Sequence, residues 1–544
     1  MSEKIGLIDS SIIIIYLVGI LVVGILSVRL KKMTSESYFL AGRGLNWVLV
    51  GAALFASNIS TIHLVGLAAS GYNEGLVWGN FEWLASITLI LLGLIFAPFY
   101  FKSKISTLPE FLEKRYDSRS RTVLAFIAII GALFVHIGMS LYAGAVVFET
   151  FFGINIITSI LVISIVTTIY TVLGGLKAVV VTETIQSVIL IIGAIMLTGF
   201  AVFALSESGI NTIAELKASL KPGQLKILHS KDSLATLGGD TGLTWYACLL
   251  GYPILGLWYW CSDQTIVQRV LGAKTQTDAQ VGPIFAGFLK ILPVFILVFP
   301  GVIAYVLFKD IIGTNANMAL PVLINQLLPV GLKGLMAATL LAALMSTIAA
   351  ALNSSATLIA VDIVKRVRPT VTDKQQIKIG RYAAILVMVL AMAWSTQGDK
   401  FSSIFEAINK IASAIAPPVA VVFLFGVFSK RGTRQAAFIT LTLGLILGIT
   451  AFCFDFEPIS GYMYITKGLQ IPFMMQAWWL FVLCSIIYFT VSFATEKPKQ
   501  EVIDNYTWEH PLAVVRGKLT SVKDPRALAL ILTATLIILY FAFS

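Results

Sequence analysis

The sequence predicts an all-α polytopic membrane protein with about fourteen transmembrane helices, and three observations support this. Of the 544 residues, 58% are hydrophobic and only 12% are charged. The mean hydropathy is +0.89, so the chain holds more apolar surface than a soluble domain could bury. The apolar residues also fall into runs long enough to cross ~30 Å of hydrocarbon as helices, which satisfy every backbone amide within the segment.

The predicted spans follow one another along the whole chain. The first apolar run, Leu7 to Leu30, is too long for a cleaved signal peptide and is interpreted as a retained helix. One long polar loop covers residues 206–242. The spans are predicted at residues 8–30, 46–71, 78–101, 121–149, 155–173, 177–205, 243–262, 278–307, 333–365, 379–397, 401–428, 435–455, 474–494 and 526–543.

Lysine and arginine alternate between the two sides of the predicted topology. The loops after the first, third and ninth spans are basic, whereas the opposite loops at residues 150–156 and 398–401 are nearly uncharged or mixed. Basic loops face the cytoplasm, so both termini are expected outside. The net charge of +11 is explained by these short loops, which argues against nucleic-acid binding.

Two predicted spans carry polar runs between apolar flanks. The second contains the run from Ala56 to Thr61 followed by His63, and the ninth contains Ser346 and Thr347. An interrupted helix can free backbone carbonyls where it lines a cavity, and carbonyls together with hydroxyls make an all-oxygen shell for sodium. The alternative is that these residues only join helices, which composition alone favours.

Ionisable side chains inside spans are the sharper signal, because an unpaired charge at the bilayer centre costs at least ~2.5–3.5 kcal/mol. Glu82 lies near the start of the third span and Lys290 in the middle of the eighth. They form either a structural ion pair or a pair that binds a polyhydroxylated substrate. The aromatic residues Trp258 to Trp260 either stack on a sugar ring or belong to a membrane-interface belt.

At these residues the chain resembles the sodium/glucose cotransporter branch of the sodium/solute symporters. The resemblance rests on LWYWCSDQTIVQR (257–269), GFLKILPVFILVFPGVIAY (287–305) and LMAATLLAALMSTIAAALNSSATL (335–358), with further matches such as ASNIS (56–60). It implies a LeuT-type fold with two inverted repeats of five helices. The implied divisions are an extra N-terminal helix and inner loop at 1–45, repeats at 46–205 and 243–428 around the outer loop at 206–242, and three extra helices at 429–544.

The resemblance also implies two sets of site residues. The sodium site would use the carbonyls of Ala56, Ile59 and Ala343 and the hydroxyls of Ser346 and Thr347. The sugar would lie among Asn58, His63, Glu82, Tyr259, Trp260, Lys290 and Asn409, with Tyr259 as the inner gate.

Three departures from the family pattern affect these assignments. Asn409 stands where the family has glutamine, which puts the identity of the sugar in doubt. Glu183 stands where the family has aspartate, and Ala349 and Ala350 replace hydroxyls that some members use for an additional cation.

The leading hypothesis is sodium-coupled symport of a glucose- or galactose-like hexose with one sodium per sugar, working by alternating access. The alternatives are the same fold carrying inositol, sialic acid or a small carboxylate, and a channel or sensor that does not transport. No nucleophile–base pair, phosphate loop or metal cluster indicates an enzyme. The expected partners are sodium, the sugar and the lipid bilayer, with no nucleic acid and no obligate protein partner, and the expected location is a bacterial inner membrane.

Overall fold

The computed structural model describes residues 6–28, 33–237, 242–397, 404–509 and 524–544, and this part of the chain is almost wholly helical. Its one β-bridge joins Leu45 to Ala273. Parts of the predicted N-terminal segment, the outer loop, the eleventh span and the segment before the last span lie outside the described residues.

Eleven helices in the described residues are long and apolar enough to cross a membrane. This number counts helical segments rather than crossings. The segment Ile156–Glu207 covers the predicted spans 155–173 and 177–205 and is kinked at Gly175, the segment Thr61–Lys102 covers part of the second predicted span and the third, and the predicted span 243–262 falls in shorter helices. The all-helical membrane fold is confirmed, whereas the number of crossings stays a prediction.

Several of the long helical segments continue through π-helical stretches, among them Ala132–Met139 and Leu257–Ser262. In chain order, the long segments are Leu7–Leu26, Trp47–Asn58, Thr61–Glu74, Gly79–Leu91 continuing to Lys102, Ser118–Gly131 continuing to Phe152, Ile156–Glu207, Trp245–Gly256 continuing to Ser262, Gln264–Leu271, Gln276–Leu289, Phe299–Ile312, Leu332–Thr357 continuing to Val367, Asp373–Ser395, Ile404–Phe428, Arg434–Asp455, Phe473–Ala494 and Pro525–Ala542.

Two helices are interrupted in the middle of the protein. We call Trp47–Asn58 with Thr61–Glu74 the first broken helix, and Trp245–Ser262 with Gln264–Leu271 the second. The first is interrupted at Ile59, whose ψ of 108° is extended. The second is interrupted at Asp263, whose ψ is 123°. The backbone of Leu45 is hydrogen-bonded to Gly272 and Lys274 at 3.1 and 2.8 Å, which joins the two broken helices at one end.

The 52-residue helix Ile156–Glu207 contains a sharp break at Gly175, whose φ is 61° and ψ −155°. Only glycine adopts this conformation readily. A Cβ at this position would also lie 2.3 Å from the carbonyl oxygen of Tyr38. The hydroxyl of Tyr38 donates to the carbonyl of Val172 at 2.9 Å, so the segment before the first broken helix is held against this break.

We call the helix Leu332–Thr357 the central helix. It is the most deeply buried of the eleven long apolar helices, since 94% of the residues in its 18-residue apolar stretch lie inside the protein. It packs along Ile156–Glu207 and against the N-terminal helix Leu7–Leu26. The buried carboxylate of Asp9 accepts hydrogen bonds from the backbone N–H groups of Gly331 and Gly334 at 2.8 and 2.7 Å. A side chain from a distant helix therefore satisfies donors at the start of the central helix that have no partner within it.

The basic loops that the sequence places on one side of the membrane contact one another. Arg43 donates to the carbonyl of Lys104 at 3.0 Å. Arg115 donates to the carbonyls of Gly426 and Ser429 at 2.7 and 2.9 Å. Because these residues come from separate loops, their contacts support a shared face for the positively charged segments.

The long loop packs over the opposite end of the helices. The N–H of Leu76, next to the first broken helix, donates to the carbonyl of Gln224 at 3.0 Å. Asn80 donates to the carbonyl of Ile227 at 2.6 Å, and the N–H of Ile227 donates to the carbonyl of Phe543 at 2.8 Å. The loop thus ties the helix that carries Glu82 to the C-terminal end of the chain.

Candidate substrate and ion site

A cavity of about 160 Å³ lies where the two broken helices are interrupted. All seven residues that the sequence assigns to the substrate line this cavity: Asn58, His63, Glu82, Tyr259, Trp260, Lys290 and Asn409. They come from five separate parts of the chain, so only the fold brings them together. Their assignment to the substrate stays a prediction.

The interruption of the first broken helix positions two polar side chains at the cavity. Asn58 is the last residue before the break and donates from Nδ2 to the hydroxyl of Tyr259 at 3.1 Å. Its Oδ1 is buried without a hydrogen-bond partner among the residues that the structure describes. Ser60 is the N-cap of the following half, Thr61–Glu74, and its Oγ lies 3.1 Å from Nδ1 of His63. The cavity wall therefore offers an amide oxygen that no hydrogen-bond donor in the described part of the chain occupies.

The predicted pairing of Glu82 and Lys290 is present. Lys290 Nζ lies 2.5 Å from Glu82 Oε2, and both side chains are buried, with 1% and 4% exposed. Nζ also lies 5.5 Å from the centre of the Trp260 ring, within the range of a cation–π contact. The pair is electrically neutral, yet it presents a donor and an acceptor beside an aromatic face. This combination matches the hydroxyls and the C–H face of a carbohydrate ring.

Hydroxyl and carbonyl oxygens converge where the central helix meets the first broken helix. Ser346 Oγ donates to the carbonyl of Ala56 at 2.8 Å and to that of Ala343 at 3.0 Å. Thr347 Oγ1 donates to the carbonyl of Ser57 at 3.1 Å and to that of Ala343 at 3.3 Å. Four of the five predicted sodium ligands thus belong to one hydrogen-bonded cluster.

The fifth predicted ligand, Ile59, lies at the break itself. In a continuous helix the N–H of His63 would donate to the carbonyl of Ile59. Here the N–H groups of His63 and Leu64 both donate to the carbonyl of Ser60 instead. An all-oxygen cluster of neutral groups is the chemistry that a small hard cation prefers. Thr347 also lines the cavity, so the oxygen cluster and the cavity are adjacent.

Glu183, the departure from the family's aspartate, lies outside the cavity. Its carboxylate forms an ion pair with Arg269, and both side chains are fully buried. Arg269 Nε donates to Glu183 Oε2 at 3.2 Å. The carboxylate is therefore occupied by a guanidinium from Gln264–Leu271, the following half of the second broken helix.

Sequence reasoning missed one ionisable residue in the cavity wall. His136 lies in the π-helical stretch Ala132–Met139, and its Nε2 is 2.9 Å from Asp263 Oδ2. The signal that could have found it was an imidazole inside an otherwise apolar span, which is rare and expensive in a membrane. Phe81 and Tyr252, whose rings pack edge to face with centroids 5.3 Å apart, also line the cavity and carry no polar pattern in the sequence.

The fold and this site define a sodium-coupled solute transporter, and comparison with known proteins supports that class. The model of the sodium:solute symporter family matches residues 38–444. The chain belongs to this family. It is a membrane transporter with a small-molecule substrate and sodium as the co-transported ion, and it is not an enzyme.

Individual relatives carry related solutes. The chain is 33% identical to sodium/myo-inositol cotransporter 2 of Bos taurus, over 95% of this chain and 81% of that protein. It is 34% identical to sodium/glucose cotransporter 1 of Mus musculus, over 92% and 80%, and 36% identical to sodium/glucose cotransporter 2 of Rattus norvegicus, over 82% and 72%.

Solved structures support the LeuT-type fold. A substrate-bound, outward-open sodium-coupled sialic acid symporter superposes with a TM-score of 0.76 at 22% identity, covering 91% of this chain and 99% of that one. A transporter of the nucleobase-cation-symport-1 family in a closed conformation superposes with a TM-score of 0.52 at 16% identity, covering 88% and 99%.

Proposed function

We propose that this protein imports a glucose- or galactose-like hexose together with sodium. The observation that carries the proposal is the neutral Glu82–Lys290 pair beside the Trp260 ring, adjacent to the unpartnered amide oxygen of Asn58. A hexose presents hydroxyls that donate and accept at once and a C–H face that packs on an aromatic ring. The cavity provides a partner for each of these features.

myo-Inositol is the second candidate, because it has the same ring size and the same kind of hydroxyls, and a myo-inositol cotransporter is among the relatives. A carboxylate substrate such as sialic acid is less favoured. Among the described residues no arginine lines the cavity, and Lys290 is already neutralised by Glu82. An anionic substrate would therefore find no unpaired guanidinium to bind.

The proposed sodium site consists of the carbonyls of Ala56, Ile59 and Ala343 with the hydroxyls of Ser346 and Thr347. Each hydroxyl can turn its hydrogen away and present a lone pair to the ion, because a hydroxyl is both donor and acceptor. The contact of Thr347 with both the oxygen cluster and the cavity supports a direct energetic link between ion and substrate.

A stoichiometry of one sodium per substrate is supported by two features. Ala349 and Ala350, one turn beyond the proposed ligands, are fully buried methyl groups that cannot bind a cation. Glu183, a candidate to supply charge nearby, is held by Arg269. One sodium moving down a tenfold gradient and ~100 mV supplies ~1.4 plus ~2.3 kcal/mol, enough for several hundred-fold accumulation of a neutral solute.

Transport would follow alternating access, with repeats at 46–205 and 243–428 moving against each other around the cavity. We place both termini outside and the protein in a cell membrane, as the basic loops indicate, with a bacterial inner membrane as the proposed location.

Counterflow tests the substrate assignment. Proteoliposomes loaded with sodium and unlabelled D-glucose, D-galactose, myo-inositol or sialic acid are diluted into trace labelled substrate. The proposal expects exchange with glucose or galactose. Exchange with sialic acid alone would contradict the argument from the missing arginine, and exchange with myo-inositol alone would establish the second candidate.

The stoichiometry is given by the reversal potential of the substrate-dependent current, measured as the sodium and substrate gradients are varied independently. A slope requiring two sodium ions per substrate would overturn the proposed ratio of one to one.

A further inference from the structure

We propose that His136, oriented by Asp263, is a substrate contact that accepts a hydrogen bond from a ring hydroxyl. The inference rests on the proposed function, because it requires a hydroxylated substrate. Three observations lead to it: the imidazole lines the cavity, it is held at one nitrogen, and it lies in an irregular helical stretch.

The carboxylate of Asp263 determines which nitrogen of His136 carries the hydrogen. Asp263 sits at the break in the second broken helix, where its Oδ1 accepts the N–H of Thr265 at 2.7 Å and caps the helix Gln264–Leu271. Its Oδ2 lies 2.9 Å from His136 Nε2. Because an ionised carboxylate only accepts, Nε2 carries the hydrogen and donates it. In the neutral imidazole this leaves a lone pair on Nδ1.

Nδ1 of His136 has no hydrogen-bond partner among the described residues, although only 12% of the side chain is exposed. The ring lies beside that of Tyr259, with centroids 6.0 Å apart, and Tyr259 accepts the amide N–H of Asn58. Asn58 Oδ1 is likewise without a partner in the described residues. Both acceptors belong to residues that line the same cavity, and neither has a donor among the described residues. Asn58 Oδ1 is buried, and a buried acceptor is usually satisfied by a ligand or water.

The local backbone is consistent with a site of contact. The helix that carries His136 is π-helical from Ala132 to Met139, and the second broken helix is π-helical from Leu257 to Ser262, just before Asp263. π-Helical turns are rare and occur frequently at functional sites. Both partners of the pair therefore lie at irregular segments that face the cavity.

Two substitutions separate substrate contact from a purely structural pair. His136→Gln keeps an amide N–H near the position of Nε2, so the bond to Asp263 is retained while the Nδ1 acceptor is lost. His136→Asn keeps an amide oxygen near the position of Nδ1 and loses the bond to Asp263. We expect His136→Gln to raise the KM of sodium-driven uptake about tenfold, the effect of one lost hydrogen bond, and His136→Asn to raise it less. With the substrate saturating for each protein, the sodium concentration for half-maximal uptake should stay unchanged in His136→Gln.

To find the hydroxyl that is bound, uptake is measured with D-glucose, D-galactose and myo-inositol, and then with the monodeoxy analogues of the solute that is transported. For a direct contact, one deoxy analogue should show the same KM in the wild-type protein and in His136→Gln, while the others keep the tenfold difference. The contact would be overturned, and the pair left structural, by either of two results. One is the same ratio of KM between His136→Gln and the wild type for every analogue, and the other is a larger rise in KM in His136→Asn than in His136→Gln. If the wild-type protein transports none of D-glucose, D-galactose and myo-inositol, the proposed function fails and the contact fails with it. Normal wild-type uptake with no effect of His136→Gln removes the contact alone.

Discussion

The Glu82–Lys290 pair gives the sharpest test of the substrate cavity, because the same two side chains could serve only to stabilise the fold. Their charged atoms are 2.5 Å apart, and 4% and 1% of the side chains are exposed. Removing one partner, as in Glu82→Ala or Lys290→Ala, leaves a buried charge without compensation. Such a loss destabilises proteins by about 3–5 kcal/mol. Both single variants are therefore expected to lose stability and uptake together.

The double variant Glu82→Leu with Lys290→Met separates the two roles. Replacing a buried ion pair by apolar residues of similar size is often neutral for stability, so the thermal unfolding temperature should recover. Uptake should not recover, since each lost charged hydrogen bond to the substrate costs about 1.5–3 kcal/mol, or about ten- to 150-fold in kcat/KM. Unfolding is followed by the fluorescence of the purified protein, and uptake is measured in proteoliposomes.

Glu183→Ala is the matched control, because Glu183 and Arg269 form a second buried ion pair that does not line the cavity. It should lower the unfolding temperature to a similar degree and leave the KM for the substrate unchanged in the protein that remains folded. Recovery of normal uptake in the double variant of Glu82 and Lys290 would refute their role in substrate binding.

The other predictions concern the ion site, specificity and one helix cap. Ser346→Ala combined with Thr347→Ala removes two of the five proposed ligands and should abolish sodium-dependent uptake; sodium half-saturation near that of the wild type would contradict the assignment. Asn409→Gln lengthens the amide by one methylene and should shift preference toward glucose or galactose in a competition panel, whereas an unchanged profile would count against this residue. Asp9→Ala leaves two N–H groups of the central helix without acceptors, and it should lower the free energy of unfolding by about 0.5–2 kcal/mol; an unchanged unfolding temperature would show that water replaces the carboxylate.

Apolar run length predicted the membrane fold well, because it reports directly on the cost of exposing backbone to lipid. Run length does not by itself locate the interruptions of helices. The two broken helices are interrupted at Ile59 and Asp263, and Ile156–Glu207 is kinked at Gly175. These features depend on a few dihedral angles that hydropathy does not record.

The polar residues of the cavity were predictable in part. Glu82 and Lys290 stand out because charge inside a span is costly, and that cost predicts a partner. The grouping of Ser346 with Ala56 came from the family resemblance, since the two residues are 290 positions apart and no local pattern joins them. The contact of Asp9 with Gly331, 322 positions away, had no comparable signal. His136 carried a signal in the sequence, an imidazole inside an apolar span, but its partner Asp263 could be identified only from the structure.

Sodium coupling and substrate class are tested together by the accumulation of labelled D-glucose, D-galactose and myo-inositol in proteoliposomes. Three gradients of equal size are compared: inward sodium, inward potassium and, in sodium-free buffer, inward protons. We expect concentrative uptake of a hydroxylated solute with sodium alone, and its loss in the Ser346→Ala, Thr347→Ala variant. Equal accumulation under the proton gradient, or no accumulation of any of the three solutes under the sodium gradient, would contradict sodium-coupled transport of a hydroxylated solute.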